Sequence, residues 1–225
     1  MCGRFAYFVP AEQLTQHYGL ASAAPQTERY NIAPSQYVLA IRQAQTGERE
    51  ATSLKWGLVP HWAKDPTIGN RMINARGETV ADKPSFRQAF KRRRCVIPAS
   101  GFYEWGPSRA GKWPYYISPA DDTLLSFAGL WEHWRTPEGE ALESCTIITI
   151  AANASLARIH QRMPVCLAES GYADWLDPET SSETCLKLLA PLPDAALEVR
   201  AVSKAVNNPR NDVAALVEPV EIPSA

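Results

Sequence analysis

The chain lacks any apolar run approaching the roughly 18 residues that a membrane helix needs, so no helical span is expected. It opens without a basic segment leading into an apolar core, so no secretory signal is expected and a cytoplasmic protein is. No Gly-rich phosphate loop of the Rossmann or P-loop kind occurs. Cysteine is scarce and odd in number: Cys2, Cys95, Cys145, Cys166 and Cys185, widely spaced and with no C-x-x-C. That pattern excludes a disulfide framework and a zinc ribbon. Net positive charge is missing too. With 23 basic and 24 acidic side chains the total is −1, which excludes a polybasic nucleic-acid protein but leaves room for a local patch. Lys91-Arg92-Arg93-Arg94, with Arg71 and Arg76, is the one candidate, and such a run reads first as a solvated helix face.

What remains is ordinary globular composition, 45% hydrophobic and 21% charged, in a length that suits one domain. The reading is a single domain over 1–225, its core at about 2–208 and a patternless tail at 209–225. Strands are expected at 2–8, 37–41, 51–56, 72–76, 95–98, 101–105, 114–117, 124–131, 144–151 and 198–202. Helices are expected from Pro10 to Tyr18, with Gly19 ending the first, and at 85–94, 154–159, 169–176 and 180–189. Loops fall at 21–29, 57–70 and 106–112, and Thr136-Pro137-Glu138-Gly139 is a turn. Strands outnumber helices and follow one another in hairpins. The fold class is therefore α+β, a mixed or antiparallel sheet curled toward a barrel with short peripheral helices. Cys95, Cys145, Cys166 and Cys185 read as small core residues.

Position 2 differs. A small residue after Met normally permits removal of Met1, which would leave Cys2 with a free α-amine beside its thiol. Both groups are mild nucleophiles near neutral pH, with free pKa values of roughly 7.7–8.0 and about 8.5. Together they form a 1,2-aminothiol, which condenses with an aldehyde to an imine and then a thiazolidine. Alternatively the thiol serves as nucleophile of an N-terminal-nucleophile amidohydrolase, or the cysteine merely happens to stand there. Two other residues are out of character. Asn74 interrupts an apolar run and needs partners or a task. Glu104 lies in an aromatic strand, where a carboxylate must be paired, protonated or in a cleft. Trp62, in the Gly57–Trp62 loop, either binds or caps the core.

Eight segments taken together resemble one family. They are Met1-Cys2-Gly3-Arg4, Tyr30-Asn31-Ile32-Ala33-Pro34, Trp56-Gly57-Leu58-Val59-Pro60-His61-Trp62, Ile73-Asn74-Ala75-Arg76-Gly77-Glu78, Arg94-Cys95-Val96-Ile97-Pro98, Gly101-Phe102-Tyr103-Glu104-Trp105, Ala128-Gly129-Leu130-Trp131 and Ile159-His160-Gln161-Arg162-Met163-Pro164. Each is weak alone; their order over about residues 2 to 208 is specific. The chain is similar to the SOS response-associated peptidases, SRAP, of compact bacterial type.

The resemblance implies a sensor of abasic sites in single-stranded DNA, including single-strand to double-strand junctions. It implies a covalent cross-link through Cys2, with Asn74, Glu104 and His160 beside it and His160 linked to slow reversal. By the same resemblance Arg4, Asn31, Pro34, Trp62, Arg76, Trp105 and Arg162 contact DNA. No metal and no cofactor is called for, no membrane is involved, and a monomer that joins the nucleoid when bound to DNA is expected. The older peptidase name keeps the amidohydrolase alternative and self-removal of Met1 in play. That alternative carries an architectural expectation, a four-layer sandwich of helices around two sheets.

Overall fold

The computed structural model describes residues 2–22, 27–121, 123–136 and 138–223. Met1, part of the expected loop at 21–29 and Pro137 of the expected turn therefore lie outside the described residues. In chain order the elements are β1 (Phe5–Tyr7), α1 (Ala11–Tyr18), β2 (Arg29–Ile32), β3 (Tyr37–Gln43), β4 (Arg49–Trp56), β5 (Asn74–Arg76), α2 (Arg87–Arg92), β6 (Arg94–Ala99), β7 (Gly101–Ser108), β8 (Gly111–Pro119), β9 (Leu125–Arg135), β10 (Ala141–Ala151), α3 (Ala154–Ala157), β11 (Arg162–Pro164), α4 (Tyr172–Leu176), α5 (Ser182–Lys187) and β12 (Leu197–Ala201).

Five strands close on themselves in the order β10-β4-β3-β6-β9, with β9 pairing back to β10. The β3–β4 hairpin keeps an unbroken antiparallel register from Tyr37 opposite Lys55 to Gln43 opposite Arg49. Only the β4–β10 seam of the ring is parallel. Short β5 and β11 extend the sheet from β10. A second sheet runs β12-β8-β7-β1-β2. Phe5 of β1 meets Trp56 of β4 edge-on at 5.3 Å and Phe127 of β9 at 5.9 Å, and Phe102 of β7 meets Phe127 at 6.0 Å. One core therefore joins the two sheets. Each such aromatic contact contributes about 0.5–1.5 kcal/mol beyond its buried area. All five cysteines are free and buried in this structure.

The expected elements occur, with informative differences. Gly19 ends α1 in the left-handed conformation, φ 62°, as glycine favours. Residues 66–71 of the expected loop form a 3-10 turn, because the Asp65 carboxylate accepts the Thr67 N–H at 2.8 Å. Pro98 does not end β6; it stays in the strand opposite Ser126. Strands β7 and β8 consume most of the loop expected at 106–112, leaving a turn of two residues, Arg109 and Ala110. The basic run is not one solvated face. Arg94 is 2% exposed, and its guanidinium donates to the carbonyls of Phe90 and Lys91 at 2.7 and 2.8 Å, Trp175 at 2.7 Å and Asp177. It serves as a buried cap where α2 gives way to β6, and a charge there is tolerable only because those carbonyls replace water.

No helix among the described residues is long and apolar enough to cross a membrane. The longest, α1, has eight residues, so the two helical layers that the amidohydrolase alternative implies are absent from the described residues.

Candidate active site and nucleic-acid interface

Strand β1 delivers Cys2. It runs antiparallel to β7, with Phe5 opposite Phe102, and the pairing continues toward the N-terminus through the Tyr103 N–H, which donates to the Arg4 carbonyl at 2.9 Å. The residues before Arg4 are thereby led along Glu104 and Trp105. Cys2 is fully buried, and its carbonyl accepts from Asn74 Nδ2 at 2.8 Å. Burial pushes the Cys2 thiol well above its ordinary pKa, and the nearby Glu104 carboxylate pushes the same way. The thiol is therefore held as S–H at neutral pH.

Asn74 comes from the other sheet. Short β5 lies parallel to β10, with Asn74 opposite Ile147 and Arg76 opposite Thr149. Asn74 Oδ1 is buried and has no hydrogen-bond partner among the described residues. A buried acceptor left in this state is costly, about 1–3 kcal/mol. It is well placed to receive an amine or hydroxyl hydrogen beside Cys2. Glu104, 5% exposed, sits on β7 opposite Tyr115. His160 follows α3, in a turn that packs against β7. A Cβ on Gly106 would stand 2.8 Å from Ile159 Cγ2 and 2.9 Å from Ile159 Cα, so only glycine lets that turn approach the strand carrying Glu104. The Arg162 N–H donates to His160 Nδ1 at 3.0 Å. The same nitrogen lies 3.2 Å from the Arg162 carbonyl oxygen, so the turn fixes the orientation of the ring.

Of the residues expected at DNA, Arg76 and Trp62 are exposed, Trp62 to 50%; the indole does not cap the core. Pro34 is half-buried in the turn after β2. Arg4 Nη1 donates to Asn31 Oδ1 and to the Val206 carbonyl, both at 2.7 Å, and its guanidinium lies 5.9 Å from the Trp105 ring centre. Trp105 is itself tied by Nε1 to Asn207 Oδ1 at 2.7 Å. Arg162 forms a two-pronged pair with Glu78 at 2.5 and 2.9 Å and also donates to the Thr149 carbonyl. That pair holds the Glu78 carboxyl below its ordinary pKa.

Asn31 is placed differently from the expectation. It is fully buried, its Nδ2 facing the carbonyls of Val206, Asn208 and Asn211 at 3.2, 3.1 and 2.7 Å. With Oδ1 taken by Arg4, its side chain binds chain segments together and positions Arg4. Sequence reasoning missed the other half of this arrangement. Asp212 accepts from the Tyr30 and Asn31 N–H groups at 2.5 and 3.0 Å and from Arg29 Nε at 2.6 Å. The segment expected to be a patternless tail thus locks β2. The clustered Asn207, Asn208, Asn211 and Asp212, all turn and cap formers, were the available signal.

The profile of the SOS response associated peptidase (SRAP) family matches residues 1–209. The chain belongs to the SRAP family. Among relatives of this SRAP protein, abasic site processing protein YoqW of Bacillus subtilis is 42% identical over 223 residues, covering 97% of this chain and 99% of the relative. Abasic site processing protein YoaM, also of Bacillus subtilis, is 41% identical over 97% of this chain and 98% of its own. Abasic site processing protein HMCES of Xenopus tropicalis is 34% identical over 81% of this chain and 63% of its own. A crystal structure of a Bacteroides thetaiotaomicron protein superposes with a TM-score of 0.87 at 26% identity, covering 98% of this SRAP chain and all of the other.

Proposed function

We propose that this SRAP protein senses abasic sites in single-stranded DNA and shields them by a covalent cross-link through Cys2. The observation that carries the reading is the convergence of Cys2, led along β7 beside Glu104, with Asn74 holding the Cys2 carbonyl. The curated relatives are named for processing abasic sites, which supplies the electrophile: the ring-opened sugar presents an aldehyde.

The steps balance once Met1 is removed. The Cys2 amine attacks the aldehyde carbon, and the carbinolamine loses one water to give an imine. The thiol then adds across the C=N bond; sulfur bonds to carbon, and the thiol proton ends on nitrogen. The thiazolidine is therefore protein plus DNA minus one water. A thiol held protonated by burial and by Glu104 favours this order, amine first and sulfur second. Glu104 carries the proton between sugar oxygen and amine. Asn74 Oδ1 accepts a hydrogen from the amine or the sugar, and the His160 imidazole exchanges the proton needed for ring opening and for reversal. Closing the thiazolidine removes an imine that would otherwise promote β-elimination and strand cleavage. Arg4, Arg76 and Arg162 flank the lesion's phosphates, and Trp62 and Trp105 offer stacking faces, worth roughly 1–3 kcal/mol per base.

The test uses untagged protein with Met1 confirmed absent and a single-stranded oligonucleotide carrying one abasic site, with undamaged DNA as control. A heat-stable adduct at the mass of the two components minus water, mapped to Cys2, is expected. No adduct overturns the reading.

A further inference from the structure

Residues 61–94 carry nine Lys and Arg against three Asp and Glu, a net +6 in a chain whose total is −1. Much of that charge surrounds two grooves that share one exposed side chain, Trp62. The larger groove, about 680 Å³, is lined by His61, Trp62, Arg87, Gln88, Arg93 and His133. The smaller, about 510 Å³, also borders Trp62, with Lys64, Asp65, Thr67, Asn70 and Arg71 in its wall. None of these residues belongs to the Cys2 cluster.

The one carboxylate in the larger groove does not oppose an anion. Glu132 is 3% exposed, with Oε2 taking Arg93 Nη2 at 2.8 Å and Oε1 taking the His133 N–H at 3.0 Å. His61 Nδ1 lies 3.4 Å from Oε2. Glu132 therefore acts as the floor that orients Arg93 and the imidazole of His61. Arg93 Nε is buried and finds no hydrogen-bond partner among the described residues. Arg87 is exposed on α2 at the rim. A convergence of guanidinium and imidazole donors around a neutralised base, beside an exposed indole, suits phosphodiesters flanked by stackable bases.

Its position fits a strand leaving the Cys2 site. On β10, Ile147 pairs with Asn74 and Ser144 pairs with Glu132. Three residues of strand separate those two pairing positions, about 10 Å at strand rise. The Val59 N–H donates to Ser144 Oγ at 2.8 Å, which pins the loop that carries His61 and Trp62 over this point. Gly57 and Gly69 hold its base, their backbones so close that a Cβ on Gly57 would stand 2.7 Å from the Gly69 carbonyl oxygen.

We propose that the groove of Arg87, Arg93, His61 and His133 is a phosphate subsite for the DNA flank that leaves the Cys2 site. The inference rests on the reading that Cys2 faces DNA. The flank is a single strand or the arm of a duplex at a junction; both present the same phosphodiesters.

The test measures binding of undamaged DNA, so it is independent of cross-linking. Parent, Arg87→Glu and Lys187→Glu proteins are titrated against a 20-nucleotide single strand and against a hairpin with a short single-stranded arm, from 50 to 300 mM salt. Lys187 is equally exposed, on α5, and makes the same charge change elsewhere. R87E is expected to lose at least tenfold in affinity relative to K187E and to flatten the salt dependence by about one phosphate contact. Loss with the single strand assigns the subsite to a single-stranded flank; loss confined to the hairpin assigns it to a duplex arm. Equal behaviour of R87E and K187E overturns the subsite while leaving Cys2 chemistry intact. Failure of the parent to bind undamaged DNA overturns the subsite and weakens the DNA reading with it. As a second measurement, a photo-crosslinking amino acid at Gln88 is expected to label either DNA, and no labelling under conditions of parent binding overturns the proposal.

Discussion

The closed barrel and the open second sheet solve different problems with the same kind of strand. In the barrel, β9 and β10 bury runs of six and seven residues, and all six residues of β6 are buried. Long backbone ladders tie its strands, and its aromatic contacts gather at Trp56 and Phe127. In the second sheet, β1 and β2 are three and four residues long and depend on side chains far along the sequence. Asn31, Asp212, Arg4 and Asn207 do there what strand length does in the barrel. Apolar burial is non-directional and robust, whereas a buried polar lattice is stabilising only when every member is satisfied. The candidate site lies where the two meet, with Cys2 and Glu104 from the open sheet and Asn74 from the strand added to the barrel.

That contrast can be broken at several points, beginning with the largest effect. Cys2→Ala keeps an N-terminal amine and leaves a reducible imine as the only adduct. We expect at least a hundredfold loss of heat-stable cross-link, an adduct recovered by borohydride, and more strand nicking on denaturing gels. A heat-stable adduct equal to the parent's would sink the thiazolidine. Next, Trp56→Ala opens a cavity at a fully buried position of the barrel and removes the indole N–H that donates to the Ile73 carbonyl at 2.9 Å, leaving that carbonyl the Ile147 N–H alone. Urea unfolding should show a loss of about 3–5 kcal/mol. A loss under 1 kcal/mol would mean that the barrel does not carry the stability assigned to it.

Asn31→Ala should cost about 2 kcal/mol, less than the barrel cavity, because it strips a buried donor from three carbonyls. The diagnostic signal is local. Amide exchange at residues 29–32 and 205–212 should accelerate while β3 and β4 stay protected. Uniform acceleration would show that the lattice and the barrel are not separate. The smallest effect lies at Glu78. Its folded pKa is depressed by Arg162, so its contribution is present above the ordinary carboxylate value of about 4.3 and is lost as pH falls through the lower folded value. Glu78→Gln should therefore lower the melting temperature slightly at pH 6 and by less at pH 2.5. An equal shift at both would assign Glu78 a role unrelated to its charge.

Much of the barrel was legible from the chain because alternation and apolar runs are local signals. Residues 37–41, 51–56 and 144–151 read as strands and are strands. Gly19 read as a helix end because its left-handed φ is a property of one residue. Proline 98 misled, since its effect depends on whether a ladder bond is needed there, and that depends on the neighbouring strand. Arg94 misled for a similar reason. Four basic residues in a row look alike in sequence, and only the packing of α2 against α4 distinguishes the one that caps buried carbonyls. Asn74 and Glu104 stood out because each is polar in an apolar or aromatic run, Cys2 because it follows Met1, and His160 only through the family resemblance. Asp212 was not, because a carboxylate among asparagines near a chain end is ordinary until its partner at Tyr30 is known.

By itself the sequence determined the α+β class, most strand positions, the family, and the chemical oddity of a cysteine at position 2. Each follows from residue type and short-range spacing. Only the tertiary structure decided that β4 lies parallel to β10 and closes the ring, that Arg4 is held by Asn31 and Val206, and that Asn74 from one sheet meets Cys2 from the other. Those are contacts between residues 27 to 202 positions apart. No local preference encodes such pairings; they are selected when the apolar faces of both sheets find a single core, and the polar groups carried there must then satisfy one another.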